Sequence, residues 1–121
     1  MTRSALAVHG TLSRGVLAVT FLVSLAVLFT PGDDVPPAFF GVDKVVHVVL
    51  FAALAVAGRW AGVPARLLAL LLTGYALVSE VVQALAPLDR SGSVGDWLAD
   101  VLGVALGLLA WAGIARGRAS R

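Results

Sequence analysis

Residues 66–85 read RLLALLLTGYALVSEVVQAL, and this stretch decides the fold class. The stretch is 20 residues long, which is about the length that an α-helix needs to cross the hydrocarbon core of a bilayer. Within it, residues 67–72 form an uninterrupted apolar run, whereas a strand of a membrane β-barrel would alternate between apolar and polar residues. The stretch therefore predicts a transmembrane helix.

The composition of the whole chain points in the same direction. Of the 121 residues, 60% are hydrophobic and 13% are charged, and the mean hydropathy is +0.97. Soluble domains are about half apolar and about a quarter charged, and a soluble fold of this length would leave large apolar patches in water. The basic residues are scattered between apolar runs, so we expect no nucleic-acid partner. The chain has no cysteine, which excludes thiolate metal ligands.

The chain has three further apolar segments. Short breaks rich in proline, glycine or charged residues separate these segments from residues 66–85 and from one another. We predict helices at about 13–30, 43–60, 66–85 and 96–115. The fold class is therefore an all-α, polytopic transmembrane bundle of four helices, which forms a single membrane domain over residues 1–121.

The distribution of cations predicts the orientation of the bundle. Seven basic residues fall on one side of the predicted spans: Arg3, Arg14, Arg59, Arg66, Arg116, Arg118 and Arg121. The opposite side has only Lys44 and Arg90. The positive-inside rule then places both termini in the cytoplasm and predicts a multi-pass protein of the inner, or plasma, membrane.

Ionisable residues gather near the predicted outer ends of the helices. In the second helix, Asp43 and His47 are four residues apart and share a face, although Asp43 could simply cap that helix. In the third helix, Glu80 is about a turn inside an apolar span, and such residues usually face the bundle interior. In the fourth helix, capping can explain Asp96 but not Asp100, which is a turn deeper.

If consecutive helices are antiparallel, these side chains lie at the same depth in the membrane. The sequence therefore predicts a polar pocket in the outer leaflet. Its candidate binding residues are Asp43, Lys44, His47, Glu80, Gln83, Arg90, Asp96 and Asp100. Gly103 and Gly107 form a Gly-x-x-x-Gly pair, which predicts close packing of the fourth helix against a neighbour.

These polar residues resemble the VanZ-like family, small membrane proteins named for a teicoplanin-resistance determinant. The resemblance covers roughly residues 43–107 and consists of Asp43-Lys44-x-x-His47-x-x-x-Phe51, Glu80-x-x-Gln83 with Pro87 and Arg90, and Asp96-x-x-x-Asp100-x-x-Gly103-x-x-x-Gly107. The family usually has Asn at the position of Asp100, which leaves the role of this carboxyl group open. The resemblance implies a multi-helix protein of the cell envelope, tied in some members to glycopeptide antibiotic resistance, and it supplies no reaction.

Three functional hypotheses follow. In the first, the pocket binds a membrane lipid headgroup, a lipid-linked cell-wall precursor or a glycopeptide antibiotic. In the second, the protein is an intramembrane enzyme on a lipid-linked substrate, with His47 and Glu80 as catalytic candidates or with a metal held by these two and Asp100. A single histidine is weak evidence for zinc, so we assign no metal ligands and no cofactor. In the third, the protein is a small proton-coupled exporter that relies on the membrane-embedded Glu80. The sequence decides neither whether a reaction is catalysed nor the oligomeric state.

Overall fold

The computed structural model describes residues 10–29, 42–85 and 94–119, and these ranges form four α-helices. Helix α1 spans Thr11–Leu28, α2 spans Val42–Trp60, α3 spans Ala65–Leu85 and α4 spans Val94–Ala119. The described ranges contain no strand, which confirms the all-helical prediction.

Two of the helices differ from their predicted ranges by two or more residues at both ends. Helix α1 begins and ends two residues earlier than the predicted range 13–30. Its end lies shortly before Pro31, which is unfavourable within a helix. Helix α4 begins two residues earlier and ends four residues later than the predicted range 96–115. No proline interrupts its C-terminal turns, and Arg116 places a cation near the negative end of the helix dipole.

Three of the helical segments are long and apolar enough to cross a membrane, namely Thr11–Leu28, Ala65–Val82 and Gly95–Gly117. Their outer surfaces carry many exposed leucine and valine side chains, which suits contact with lipid. Helix α2 is not among the three, and it carries Asp43 and Lys44 at its start and Arg59 near its end.

Helix α2 nevertheless lies at the centre of the bundle. It packs most extensively against α4 and also contacts α1 and α3. The inward-facing side of α2 supplies much of the apolar core, namely Leu50, Phe51, Leu54 and Ala55. The side of α2 that carries these residues is thus shielded from lipid, whereas Val45, Val46 and Val49 are exposed on its other side.

Helices α2 and α4 run parallel. Lys44 at the start of α2 lies beside Asp96, and His47 one turn further along lies beside Asp100. Still further along, Gly107 of α4 packs against α2. Both helices therefore begin at the same end of the bundle.

Helix α3 runs in the opposite direction. Its residue Leu68, near the start, packs against Gly58 near the end of α2. Its residue Glu80, near the end, lies close to His47 near the start of α2.

Helix α1 contacts α3 through a hydrogen bond between Ser24 and Tyr75. Arg14 near the start of α1 lines one cavity with Leu68 near the start of α3, so α1 and α3 run in the same direction. The direction of the helices thus alternates along the chain.

The glycine pair of α4 allows its close approach to α2. A Cβ atom on Gly103 would stand against the backbone carbonyl oxygen of Val48 and 3.0 Å from the Cβ atom of Phe51. A Cβ atom on Gly107 would lie 2.5 Å from the carbonyl oxygen of Ala52 and 2.6 Å from the Cβ atom of Ala55. Both glycines are thus needed for backbone-to-backbone contact between the two helices.

Candidate polar site in the membrane bundle

The outer layer of the candidate site is an ion pair between α2 and α4. Lys44 Nζ donates to Asp96 Oδ1 at 2.9 Å. The lysine side chain is 50% exposed, whereas the aspartate side chain is 11% exposed. Asp96 lies in the first turn of α4, where a carboxylate also complements the positive end of the helix dipole. The lysine side chain is therefore half-exposed, and its ammonium group is paired with Asp96.

A buried pair lies one helical turn deeper. His47 Nδ1 and Asp100 Oδ1 are 2.6 Å apart, and their side chains are only 2% and 0% exposed. The two pairs are stacked because residues three or four apart lie on the same face of a helix. Because the two helices are parallel, the face of α2 that carries Lys44 and His47 meets the face of α4 that carries Asp96 and Asp100.

Helix α3 adds a second carboxyl group to the buried pair. Glu80 is 7% exposed, so its side chain faces the bundle interior and not the surrounding lipid. One potential ligand atom from each of His47, Glu80 and Asp100 lies within 4.8 Å of the other two. We refer to these three residues as the buried triad. Three helices contribute one residue each to it.

The buried triad combines one imidazole with two carboxyl groups. In addition, Asp100 Oδ2 is buried and has no hydrogen-bond partner among the residues that the structure describes. Groups of this kind can exchange protons, orient a neighbouring polar ligand or coordinate a cation. Burial strengthens each of these interactions, because the surroundings have a low dielectric constant.

Two hydroxyl groups beneath the buried triad were missed by the sequence analysis. Ser24 of α1 and Tyr75 of α3 are hydrogen-bonded through their hydroxyl groups at 2.8 Å. The Tyr75 ring lies between Phe21 and Phe51, with centroid distances of 5.4 and 5.7 Å. Serine and tyrosine are uncharged, and they resemble many other residues of membrane helices. The sequence therefore gave no sign that they meet.

Three of the predicted binding residues have no described side-chain position. Asp43 and Gln83 lie within helices, but their side chains are outside the described part of the structure. Arg90 lies outside the described residues altogether. The other five, which are Lys44, His47, Glu80, Asp96 and Asp100, lie near the same end of the bundle and form either the ion pair or the buried triad.

The family model VanZ/LLP1 matches residues 5–116 of the chain. The chain belongs to the VanZ/LLP1 family. Its three long apolar helices agree with a membrane protein of that family. No curated protein and no solved structure matches the chain significantly.

Proposed function

We propose that this VanZ/LLP1 protein crosses the plasma membrane four times and binds the headgroup of an envelope lipid or of a lipid-linked cell-wall precursor. Binding takes place at the outer end of the bundle. The observation that carries the proposal is the buried triad beneath the half-exposed side chain of Lys44. Ionisable side chains at membrane depth are costly and usually serve a function.

The charges of the described residues support an orientation with both termini in the cytoplasm. Four arginines lie at the end of the bundle where α1 and α3 begin and where α2 and α4 end, namely Arg14, Arg59, Arg66 and Arg116. The other end has Lys44, which is paired with Asp96. The positive-inside rule places the arginine-rich end in the cytoplasm and the site near the outer surface.

The fourth span of the proposal is α2. Its charged residues lie at its two ends, where they reach the headgroup regions, and the only ionisable residue between them is His47. This histidine is buried against Asp100, so lipid does not contact it. The exposed side of α2 carries Val45, Val46 and Val49, which suit contact with lipid.

The site has the polarity that a phosphorylated headgroup needs. The Lys44 ammonium group is a donor for a phosphate or pyrophosphate oxygen, and Asp96 fixes its position. The carboxyl groups of the buried triad accept hydrogen bonds from hydroxyl or amide groups of sugar or peptide moieties. Arg90 and Gln83 stay predicted members of the same site.

The absence of cysteine makes the orientation simple to test. Single cysteines are introduced as Ala61→Cys, in the turn between α2 and α3, and as Ser91→Cys, between α3 and α4. We expect a membrane-impermeant maleimide to label Ser91→Cys in intact cells and Ala61→Cys only after permeabilisation. The reverse pattern would contradict both the orientation and the outer location of the site.

Headgroup binding is tested with the purified protein in phosphatidylcholine nanodiscs that contain or lack a polyprenyl pyrophosphate. We expect saturable binding that Lys44→Gln weakens. Arg66→Gln removes one positive charge at the opposite end of the bundle and serves as the matched control. Equal effects of the two substitutions would show that only the overall charge matters, and the proposed site would then be wrong.

The link to envelope function is tested by growth in the presence of teicoplanin, with variants matched for membrane level. We expect tolerance to be lost with Glu80→Ala and partly retained with Glu80→Gln, because the amide preserves the shape and part of the hydrogen bonding. Gly113→Ala is the control, since a Cβ atom there meets nothing within 4 Å. Normal growth of Glu80→Ala would contradict a role of the site in antibiotic tolerance.

The buried triad also favours a second candidate, an intramembrane enzyme that acts on a lipid-linked substrate. Asp100 would orient His47 as a general base, and Glu80 would supply a general acid. This candidate predicts turnover of a radiolabelled lipid substrate, with a pH profile that changes in His47→Asn. Binding without any turnover would leave the first candidate as the better description.

A further inference from the structure

We infer that His47, Glu80 and Asp100 form a binding site for one divalent transition-metal ion of the Zn²⁺ class. Their potential ligand atoms lie within 4.8 Å of one another, and all three side chains are buried. The inference concerns the ion alone and depends neither on headgroup binding nor on the orientation of the protein in the membrane.

The types of ligand favour a transition metal over other cations. Zinc accepts imidazole nitrogen and carboxylate oxygen, and its catalytic sites commonly have three protein ligands, such as two histidines with one glutamate. Calcium needs six to eight oxygen ligands, and magnesium prefers oxygen ligands and retains several water molecules. Three protein ligands that include His47 therefore suit zinc better than calcium or magnesium, and a water molecule would complete the tetrahedral coordination.

The charge of the ion suits the buried position of the site. When both carboxyl groups are ionised, Glu80 and Asp100 place two negative charges in surroundings of low dielectric constant. A divalent cation neutralises both charges at once. Without a cation, the carboxyl groups must keep a proton or share the one that His47 donates.

The potential ligand atoms lie within 4.8 Å of one another, so they have to approach or separate by up to about 1.5 Å to bind one ion. Two ligand atoms that bind one tetrahedral zinc ion at about 2.0–2.1 Å are about 3.3 Å apart. The His47 and Asp100 atoms are 2.6 Å apart, so they would separate by less than about 1 Å as the ion displaces the shared proton. Asp100 can alternatively use Oδ2, which is buried and without a hydrogen-bond partner among the described residues.

The three ligands are held by a rigid part of the bundle. His47 and Asp100 lie on α2 and α4, which are in backbone contact at Gly103, one turn below Asp100. Glu80 lies on α3, which packs against both helices. A site on packed helices is partly preorganised, so the ion does not have to order a loop when it binds.

Metal content is the first test. The protein is purified in detergent with an affinity tag that contains no histidine, stripped with a chelator and titrated with Zn²⁺ alone. We expect one ion per chain and at least about a tenfold loss of affinity in each of His47→Asn, Glu80→Gln and Asp100→Asn, because each removes a direct ligand.

Two control variants show whether the ion is bound at the buried triad. His9→Asn removes the other imidazole of the chain, and Asp96→Asn removes the carboxylate one turn away on the same helix. We expect both variants to bind Zn²⁺ as the unsubstituted protein does. Substoichiometric binding, or an equal loss of affinity in the control and ligand variants, would overturn the inference.

A second measurement does not require the ligand variants to fold. In His9→Asn only one imidazole remains, so the ring nitrogen resonances in an NMR spectrum report on His47 alone. We expect these resonances to shift on addition of Zn²⁺, and Co²⁺ to produce the visible absorption of a tetrahedral nitrogen and oxygen site. Unchanged resonances at saturating Zn²⁺ would refute the site.

Headgroup binding is then measured with chelator-treated and Zn²⁺-loaded protein, using the polyprenyl pyrophosphate nanodiscs described above. Metal binding without headgroup binding would support the metal site and contradict the proposed function. Headgroup binding to protein that takes up no Zn²⁺ would contradict the metal site and support the proposed function. The two proposals therefore fail separately.

Discussion

Replacement of the α4 glycines by alanine tests the close packing on which the site depends. In Gly107→Ala the new Cβ atom would lie 2.5 Å from the Ala52 carbonyl oxygen and 2.6 Å from the Ala55 Cβ atom. These are backbone and Cβ atoms, which cannot rotate away as the end of a long side chain can. Helices α2 and α4 therefore have to move apart. The same holds for Gly103→Ala, whose Cβ atom would meet the carbonyl oxygen of Val48.

The expected magnitude is the difference between two opposing effects. Alanine favours the helix by up to about 1 kcal/mol relative to glycine. Overpacking of a tight interface costs about 1–3 kcal/mol, and rigid backbone contacts place these two positions in the upper part of that range. We therefore expect each substitution to lower the free energy of unfolding by about 1–2 kcal/mol, and the double substitution to lower it by more.

Gly113→Ala is a matched control in the same helix, because a Cβ atom at this position meets nothing within 4 Å. It keeps the gain in helix propensity without the clash, so we expect the stability to be unchanged or raised by up to about 1 kcal/mol. Unfolding of the detergent-solubilised variants by sodium dodecyl sulfate, followed by tryptophan fluorescence, gives the comparison. If Gly103→Ala and Gly107→Ala are as stable as Gly113→Ala, the close contact between α2 and α4 is wrong.

Two further predictions concern the polar contacts between helices. For the Ser24–Tyr75 hydrogen bond, a double-mutant cycle with Ser24→Ala and Tyr75→Phe should give a coupling free energy of about 0.5–1.5 kcal/mol, and a coupling of zero would show that the hydroxyl groups do not meet. For the Lys44–Asp96 pair, whose lysine side chain is half-exposed, we expect Asp96→Asn to cost at most about 1 kcal/mol and the cost to shrink at high salt. A much larger cost that does not depend on salt would mean that the pair is shielded from water.

The helical fold could be predicted from the sequence because the bilayer restricts the choices. Long apolar segments must satisfy their backbone hydrogen bonds internally, so helices follow from hydropathy alone. The ends of α1 and α4 were less predictable, because helix boundaries depend on local capping and on turns that remain helical outside the apolar segment. Hydropathy also could not show that α2 is the central helix, since this depends on contacts between side chains.

The residues of the candidate site were easier to predict than their pairing. Spacing within a helix placed Asp43 and His47 on one face, but the observed partner of His47 is Asp100 of another helix. Spacing of four residues shows which residues share a face, and it cannot show which helix that face meets. The participation of Glu80 was predictable because a carboxyl group inside an apolar span has few alternatives to the bundle interior.

The relative position of α2 and α4 connects the packing with the polar site. The Lys44–Asp96 and His47–Asp100 pairs join residues 52 and 53 positions apart in sequence. Gly103 packs against Phe51 with the same separation of 52 positions. A slip of one residue between the helices would rotate the glycine away from α2 and separate both polar pairs, because successive residues of a helix point in directions about 100° apart. The glycine contact therefore selects the register in which the imidazole of His47 meets the carboxyl group of Asp100. A substitution that shifts the glycine contact also shifts this polar pair, and the reverse holds as well.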